Sequence, residues 1–148
     1  FGGDPKRVLV FGQSGGGGKV CTLWSMPSAR GLFHRAAIQS GATRRLRSVE
    51  DGFGASERLL NSLNLKSNQA RELQRLPLAQ VMAANFELAK KPALPGAPNN
   101  FAPVYDNRLV TRQPFDPVAN PLNADIPLIV GCTSTENTAF MMVDAEPD

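Results

Sequence analysis

Histidine is almost missing from this chain: of 148 residues, only His34 is one. With so little histidine and so little cysteine, no His/Cys cluster for a metal is present. Cys21 and Cys132, the two cysteines, are too few for a disulfide scaffold. Both lie in apolar contexts, which predicts buried free thiols. No apolar stretch reaches the length of a membrane span. No charged segment leads into an apolar run, so no signal peptide is visible. The compartment stays open, with the cytoplasm ahead of secretion. Aromatic residues do not interleave with the nearest thing to a basic cluster, Arg44, Arg45 and Arg47. That cluster therefore reads as a solvated loop or helix end, and no nucleic-acid partner is expected. Thirteen Gly and twelve Pro follow no period, which leaves them to turns and loops.

What is present suits one globular unit. The length is about one domain's worth, 42% of residues are hydrophobic, and the formal net charge is +3. Residues 7–11, Arg-Val-Leu-Val-Phe, form a short β-branched run of the kind found in strands buried on both faces of a parallel sheet. Glycines follow at once, and then Lys19 to Met26, helical in pattern and stopped by Pro27. Residues 36–39 make a second strand, giving strand–helix–strand with an expected right-handed crossover. The middle reads as helical. Glu50 to Leu63 places Phe53, Leu59, Leu60 and Leu63 at helical spacing. Ser67 to Leu76 follows, with Ser67 as N-cap, and then Leu78 to Ala89. The Pro-rich stretch 91–100 reads as a loop, and 101–107 as an extended segment and turn. Residues 126–130, Ile-Pro-Leu-Ile-Val, form a third buried strand. The expected class is α/β, with parallel central strands and flanking helices.

Chemistry concentrates where the first strand ends, in Gly12-Gln13-Ser14-Gly15-Gly16. A serine hydroxyl is a weak nucleophile until a base takes its proton, and it must stand clear of the sheet to reach a substrate. A sharp strand-to-helix turn achieves this but crowds the residues two before and two after the serine. Glycine at both places, Gly12 and Gly16, relieves the crowding. The N–H of Gly15, the residue after the candidate nucleophile, would face a developing oxyanion, reinforced by the helix N-terminus.

Rival readings of a glycine-rich turn fail on spacing. Gly18-Lys19 offers the G-K pair of a phosphate-binding loop, but the first glycine would fall on Gln13 and the magnesium-binding hydroxyl on Val20. No register across residues 12–21 supplies the three glycines of a dinucleotide fingerprint.

Three segments, Phe1-Gly-Gly-Asp-Pro, Val10-Phe-Gly-Gln-Ser-Gly-Gly and Gly31-Leu-Phe-His-Arg-Ala-Ala-Ile-Gln-Ser-Gly41, together resemble the type-B carboxylesterase family. The likeness returns at Phe101-Ala-Pro-Val-Tyr-Asp, Pro114-Phe-Asp-Pro and Ala124-Asp-Ile-Pro-Leu-Ile-Val-Gly. It implies the α/β-hydrolase fold, Ser14 as nucleophile, Gly15 as an oxyanion donor and Glu136 as the acid of a catalytic triad. The family's usual Ser-Ala-Gly-Gly stands here as Ser14-Gly15-Gly16-Gly17, and its Asp-Glu-Gly as Thr135-Glu136-Asn137. The first change keeps the donor N–H but loosens the turn. The second adds bulk beside the acid, in a residue that tolerates unusual backbone angles. Ser40 resembles a serine that supports the triad from behind; read from the residue alone, it is equally a polar strand terminus. Glu136 also lies just past a buried strand, where sites gather in open α/β sheets, although most carboxylates in loops are simply solvated.

The resemblance places the general base after the acid, and His34 lies before it as a structural element of its own motif. The expectation is therefore a central fragment, residues 1–148, of a carboxylesterase domain, running from nucleophile elbow to triad acid and lacking the base and the glycine-rich oxyanion loop. Its substrate would be a small-molecule carboxylic ester, with no cofactor and no metal. Alone it would be a poor enzyme, and exposed strand edges would favour self-association. The alternative is a non-catalytic binding module on the same fold.

Overall fold

The computed structural model describes residues 2–90, 101–136 and 138. It divides into two compact units, Phe1–Leu46 with Tyr105–Asp148, and Arg47–Val104.

The first unit is built on a parallel three-stranded sheet in the order β1-β2-β3, with β1 at Leu9–Gln13, β2 at Arg35–Gln39 and β3 at Leu128–Gly131. Helix α1, Gly15–Ser25, connects β1 to β2. It begins four residues earlier than the periodicity predicts, because Gly15 to Gly18 are helical; their missing side chains left no apolar pattern to read. β3 begins two residues late, at Leu128, since Pro127 has no N–H to give the ladder.

Strand pairing sets which side chains meet α1. Val10 is level with Ala36, and Ala36 with Leu128. On this face Ala36 and Ile38 are buried with Val20, Cys21, Trp24, Ala29 and Phe33, and Val10, Phe115, Ile126 and Leu128 pack against them. Trp24 and Phe33 meet with ring centroids 6.3 Å apart. The Nδ2 amide of buried Asn123 donates to the Trp24 carbonyl at 2.8 Å, tying α1 to the turn before β3.

The opposite face departs from expectation. Phe11, Ala37 and Ile129 lie in one row across the strands, and Phe11 and Ile129 are 67% and 73% exposed. The strands are therefore covered on one face, with burial alternating along β2, where both faces were expected to be buried. Cys132 is also exposed, being past the end of β3; Cys21, under α1, is buried, and both thiols are free. Burial pushes the Cys21 thiol pKa up.

Arg44 and Arg45 both converge on Asp116, at 3.3 and 2.6 Å. Arg44 and Arg45 are thus partly neutralised within the first unit. Further along, the carboxylate of Asp106 accepts the N–H groups of Arg108, Leu109 and Val110. These bonds, that from Val110 foremost, hold its pKa below the usual value.

The second unit is helical. Helix α2, Val49–Ser62, starts at Ser48, whose hydroxyl accepts the Asp51 N–H at 3.0 Å. Ala55, Leu59 and Leu60 are buried along it, with Leu63 at its C-terminal cap, while Phe53 is 67% exposed and not part of the core. Helix α3, Leu78–Ala89, follows as expected. Ser67–Gln74 is a 3₁₀ helix and not an α-helix. Lys66, not Ser67, is its N-cap, with the Gln69 side chain accepting the Lys66 N–H at 2.9 Å. The Pro-rich stretch 91–100 lies outside the described residues. The extended segment beyond it pairs Val104 with Arg47 in a single parallel bridge. Among the described residues no helix is long and apolar enough to cross a membrane.

Candidate active site

Ser14 is the first residue after β1 and the N-cap of α1. The chain must turn there from strand to helix with no intervening loop. It does so by putting Ser14 at φ 53° and ψ −120°, an uncommon conformation for a residue with a side chain. The hydroxyl makes no capping hydrogen bond to the helix, and the residue is exposed. Two backbone bonds fix it: Ser14 N–H donates to the Gln39 carbonyl at 2.8 Å, and Gly18 N–H donates to the Ser14 carbonyl at 3.2 Å.

Glycines make room for this turn, though not in the way the motif suggests. A Cβ on Gly12 would collide with the Gly16 carbonyl and lie 2.9 Å from the Gly17 nitrogen. Gly12 is therefore required by close approach of the helix backbone. A Cβ on Gly16 itself would meet nothing within 4 Å, so Gly16 matters for its carbonyl's position and not for its own missing side chain. At Gly15 a Cβ would touch only the Lys19 Nζ, at 3.8 Å. An alanine fits there without strain.

The residue that sequence reasoning missed is Gly41. A Cβ there would run into the Ser14 carbonyl oxygen and sit 2.7 Å from the Ser14 carbonyl carbon. Gly41 also approaches Gly17, whose own Cβ would come within 3.2 Å of it. The chain leaving β2 thus braces the elbow from behind. The available signal was the Ser-Gly pair directly after the second strand, which marks a backbone crossing as well as a strand end.

The strand register brings the C-terminal ends of the strands together. Gln13 pairs with Gln39, and Gln39 with Gly131. Ser14, Ser40 and Cys132 are consequently the next residues along three neighbouring strands. Ser40 has φ 52°, and its N–H donates to the Gly131 carbonyl at 2.8 Å. Glu136 lies beyond Cys132 in the turn after β3, half-buried. No hydrogen bond joins Ser14, Ser40 and Glu136 side chains among the described residues. As first residue of α1, Gly15 has an N–H among those with no acceptor inside the helix.

His34 is engaged elsewhere. Its Nδ1 accepts the Val8 N–H at 3.3 Å, and its own N–H donates to the Val8 carbonyl at 2.8 Å. It ties the entry of β2 to the entry of β1. Ser14 lies at the other end of β1, on the order of 20 Å away at about 3.3 Å per residue. His34 is a strut between strands and does not reach the serine. Among the described residues no group of His, Cys, Asp or Glu is placed to hold a metal ion.

The chain is similar to known proteins along its whole sequence. The model of the Carboxylesterase family matches residues 1–148. The chain belongs to the carboxylesterase family. This carboxylesterase chain is 31% identical over 148 residues to a para-nitrobenzyl esterase of Bacillus subtilis (strain 168), covering 99% of the chain and 30% of that protein. It is 31% identical over 140 residues to a phenmedipham hydrolase of Pseudarthrobacter oxydans, covering 93% of the chain and 27% of the relative. Among solved structures it resembles a PNB esterase with a TM-score of 0.84 and 30% identity, covering 99% of the chain and 31% of that structure. A carboxylesterase of Geobacillus stearothermophilus at pH 6.8 gives a TM-score of 0.78 and 32% identity, covering 97% of the chain and 30% of that structure. The fold is accordingly that of the α/β-hydrolases, of which the three strands described here are a part. The carboxylesterase chain spans less than a third of the length of these relatives.

Proposed function

We propose that the chain is the central part of a serine carboxylester hydrolase. Ser14 attacks the ester carbonyl, and a histidine supplied by polypeptide outside these 148 residues takes its proton. Glu136 orients that histidine, in the chain order nucleophile, acid, base. The Gly15 N–H donates to the tetrahedral oxyanion, and Ser40 supports the triad from the neighbouring strand end. The base then protonates the departing alcohol, and water releases the acyl group. The scheme uses no cofactor or metal ion.

The observation carrying this reading is the conformation of Ser14. A residue with a side chain is held at positive φ, exposed, and without a cap hydrogen bond. Backbone strain of this kind costs about 1–3 kcal/mol and persists only where the surroundings impose it. Gly12 and Gly41 impose it here. Presenting a hydroxyl above the ends of a parallel sheet is what such an expense supplies.

Hydrolysis of para-nitrophenyl butyrate by the protein extended at both ends with its own flanking sequence tests the proposal. Ser14→Ala is expected to lower kcat by at least about 10³-fold. Hydrolysis unaffected by Ser14→Ala would overturn it. An extended protein without activity that still bound esters would support the non-catalytic module instead.

A further inference from the structure

Lys19 is left over from the phosphate-loop pattern, which fails at Gln13 and Val20, and nothing in the proposed acyl transfer uses it. Its side chain nevertheless has a defined position. It curls back along α1 so that Nζ donates to the Gly15 carbonyl at 3.2 Å. A Cβ on Gly15 would lie only 3.8 Å from the ammonium, so the charge sits over the bare backbone of the residue next to Ser14. Among the described residues no carboxylate forms an ion pair with it. The contact does little for the helix. A cation is disfavoured near a helix N-terminus, and the Gly15 carbonyl already has a backbone partner in the next turn.

We propose that Lys19 is a specificity-determining residue that favours esters bearing a second, free carboxylate, such as half-esters of dicarboxylic acids. The proposal rests on Ser14 and Gly15 acting as above. A substrate whose ester carbonyl is seated at the Gly15 N–H lies within about one residue's breadth of the ammonium. Two opposite charges about 6 Å apart with water between them, at an effective dielectric of about 40–80, attract enough to change binding by about three- to tenfold. The bonds made and broken are those of ordinary ester hydrolysis. Lys19 attracts the remote carboxylate across about 6 Å and exchanges no proton, so its effect falls on KM.

The test uses the protein with its own flanking sequence and two esters of equal acyl length, monomethyl glutarate and methyl valerate. In the unsubstituted protein the ratio of kcat/KM, charged over neutral, should fall toward that of Lys19→Met as salt is raised. In Lys19→Met that ratio should be about three- to tenfold lower at low salt, through KM, while Lys19→Arg keeps it. An unchanged ratio in Lys19→Met, or equal loss on both esters, would overturn the charge proposal and leave the esterase reading standing. Hydrolysis of para-nitrophenyl butyrate but of neither methyl ester would overturn this inference alone, and failure on all three esters would overturn the esterase reading with it.

Discussion

Single backbone contacts decide the geometry around Ser14. Gly12, Gly16 and Gly41 are alike in sequence but not in what they do. Gly12 and Gly41 stand where a Cβ would enter the backbone of a neighbouring segment, and Gly16 does not. Gly12→Ala and Gly41→Ala should each destabilise the chain by about 1–3 kcal/mol, as overpacking does, while Gly16→Ala stays within about 0.5 kcal/mol. Urea unfolding of the three variants checks this, and equal effects would contradict it. The thiols separate in the same way. Cys132 is exposed and Cys21 buried, with its ionisation disfavoured chiefly by desolvation. One thiol per chain should react with a disulfide reagent in the native state, and both after unfolding. Because its folded pKa is raised, Cys21 contributes stability that is complete below its unfolded value of 9.0 and is lost as pH rises through the folded value.

Elements were legible in the sequence where side chains carry a period. β1 and β2 announced themselves by β-branched or small apolar runs, and α2 by its apolar spacing. Gly15 to Gly18 could not, because glycine carries no hydrophobic signal and is a poor helix former. Their helicity is imposed by the strand that precedes them and the core beneath Val20 and Trp24. Ser67–Gln74 departed from the reading in a different way, taking the tighter 3₁₀ form over residues whose pattern suggested an α-helix. Of the candidate site, Ser14, Gly12 and Gly15 could be read from spacing alone. Glu136 and Ser40 needed the likeness to a family, and Gly41 needed coordinates, since it acts across 27 positions of sequence by touching Ser14. At α2, the Ser48 hydroxyl capping the Asp51 N–H should contribute about 1 kcal/mol. Thermal unfolding of Ser48→Ala should show a loss of that size, and Ser48→Asp should restore it.

At the scale of the molecule, the described sheet has partner-free outer edges on β1 and β3 and an apolar row of Phe11, Ala37 and Ile129 on one face. Strands of this composition are normally covered on both faces in an α/β protein. We expect the 148-residue chain to self-associate through them. In analytical ultracentrifugation, Phe11→Gln combined with Ile129→Lys should shift the chain toward monomer, and an unchanged distribution would refute this. The central claim concerns Ser14 and is tested most directly by covalent labelling. The protein with its own flanking sequence is treated with a fluorophosphonate, and the adduct is located by peptide mass spectrometry. The account predicts one adduct, on Ser14, that is lost in Ser14→Ala; no adduct, or one on another residue, would contradict it.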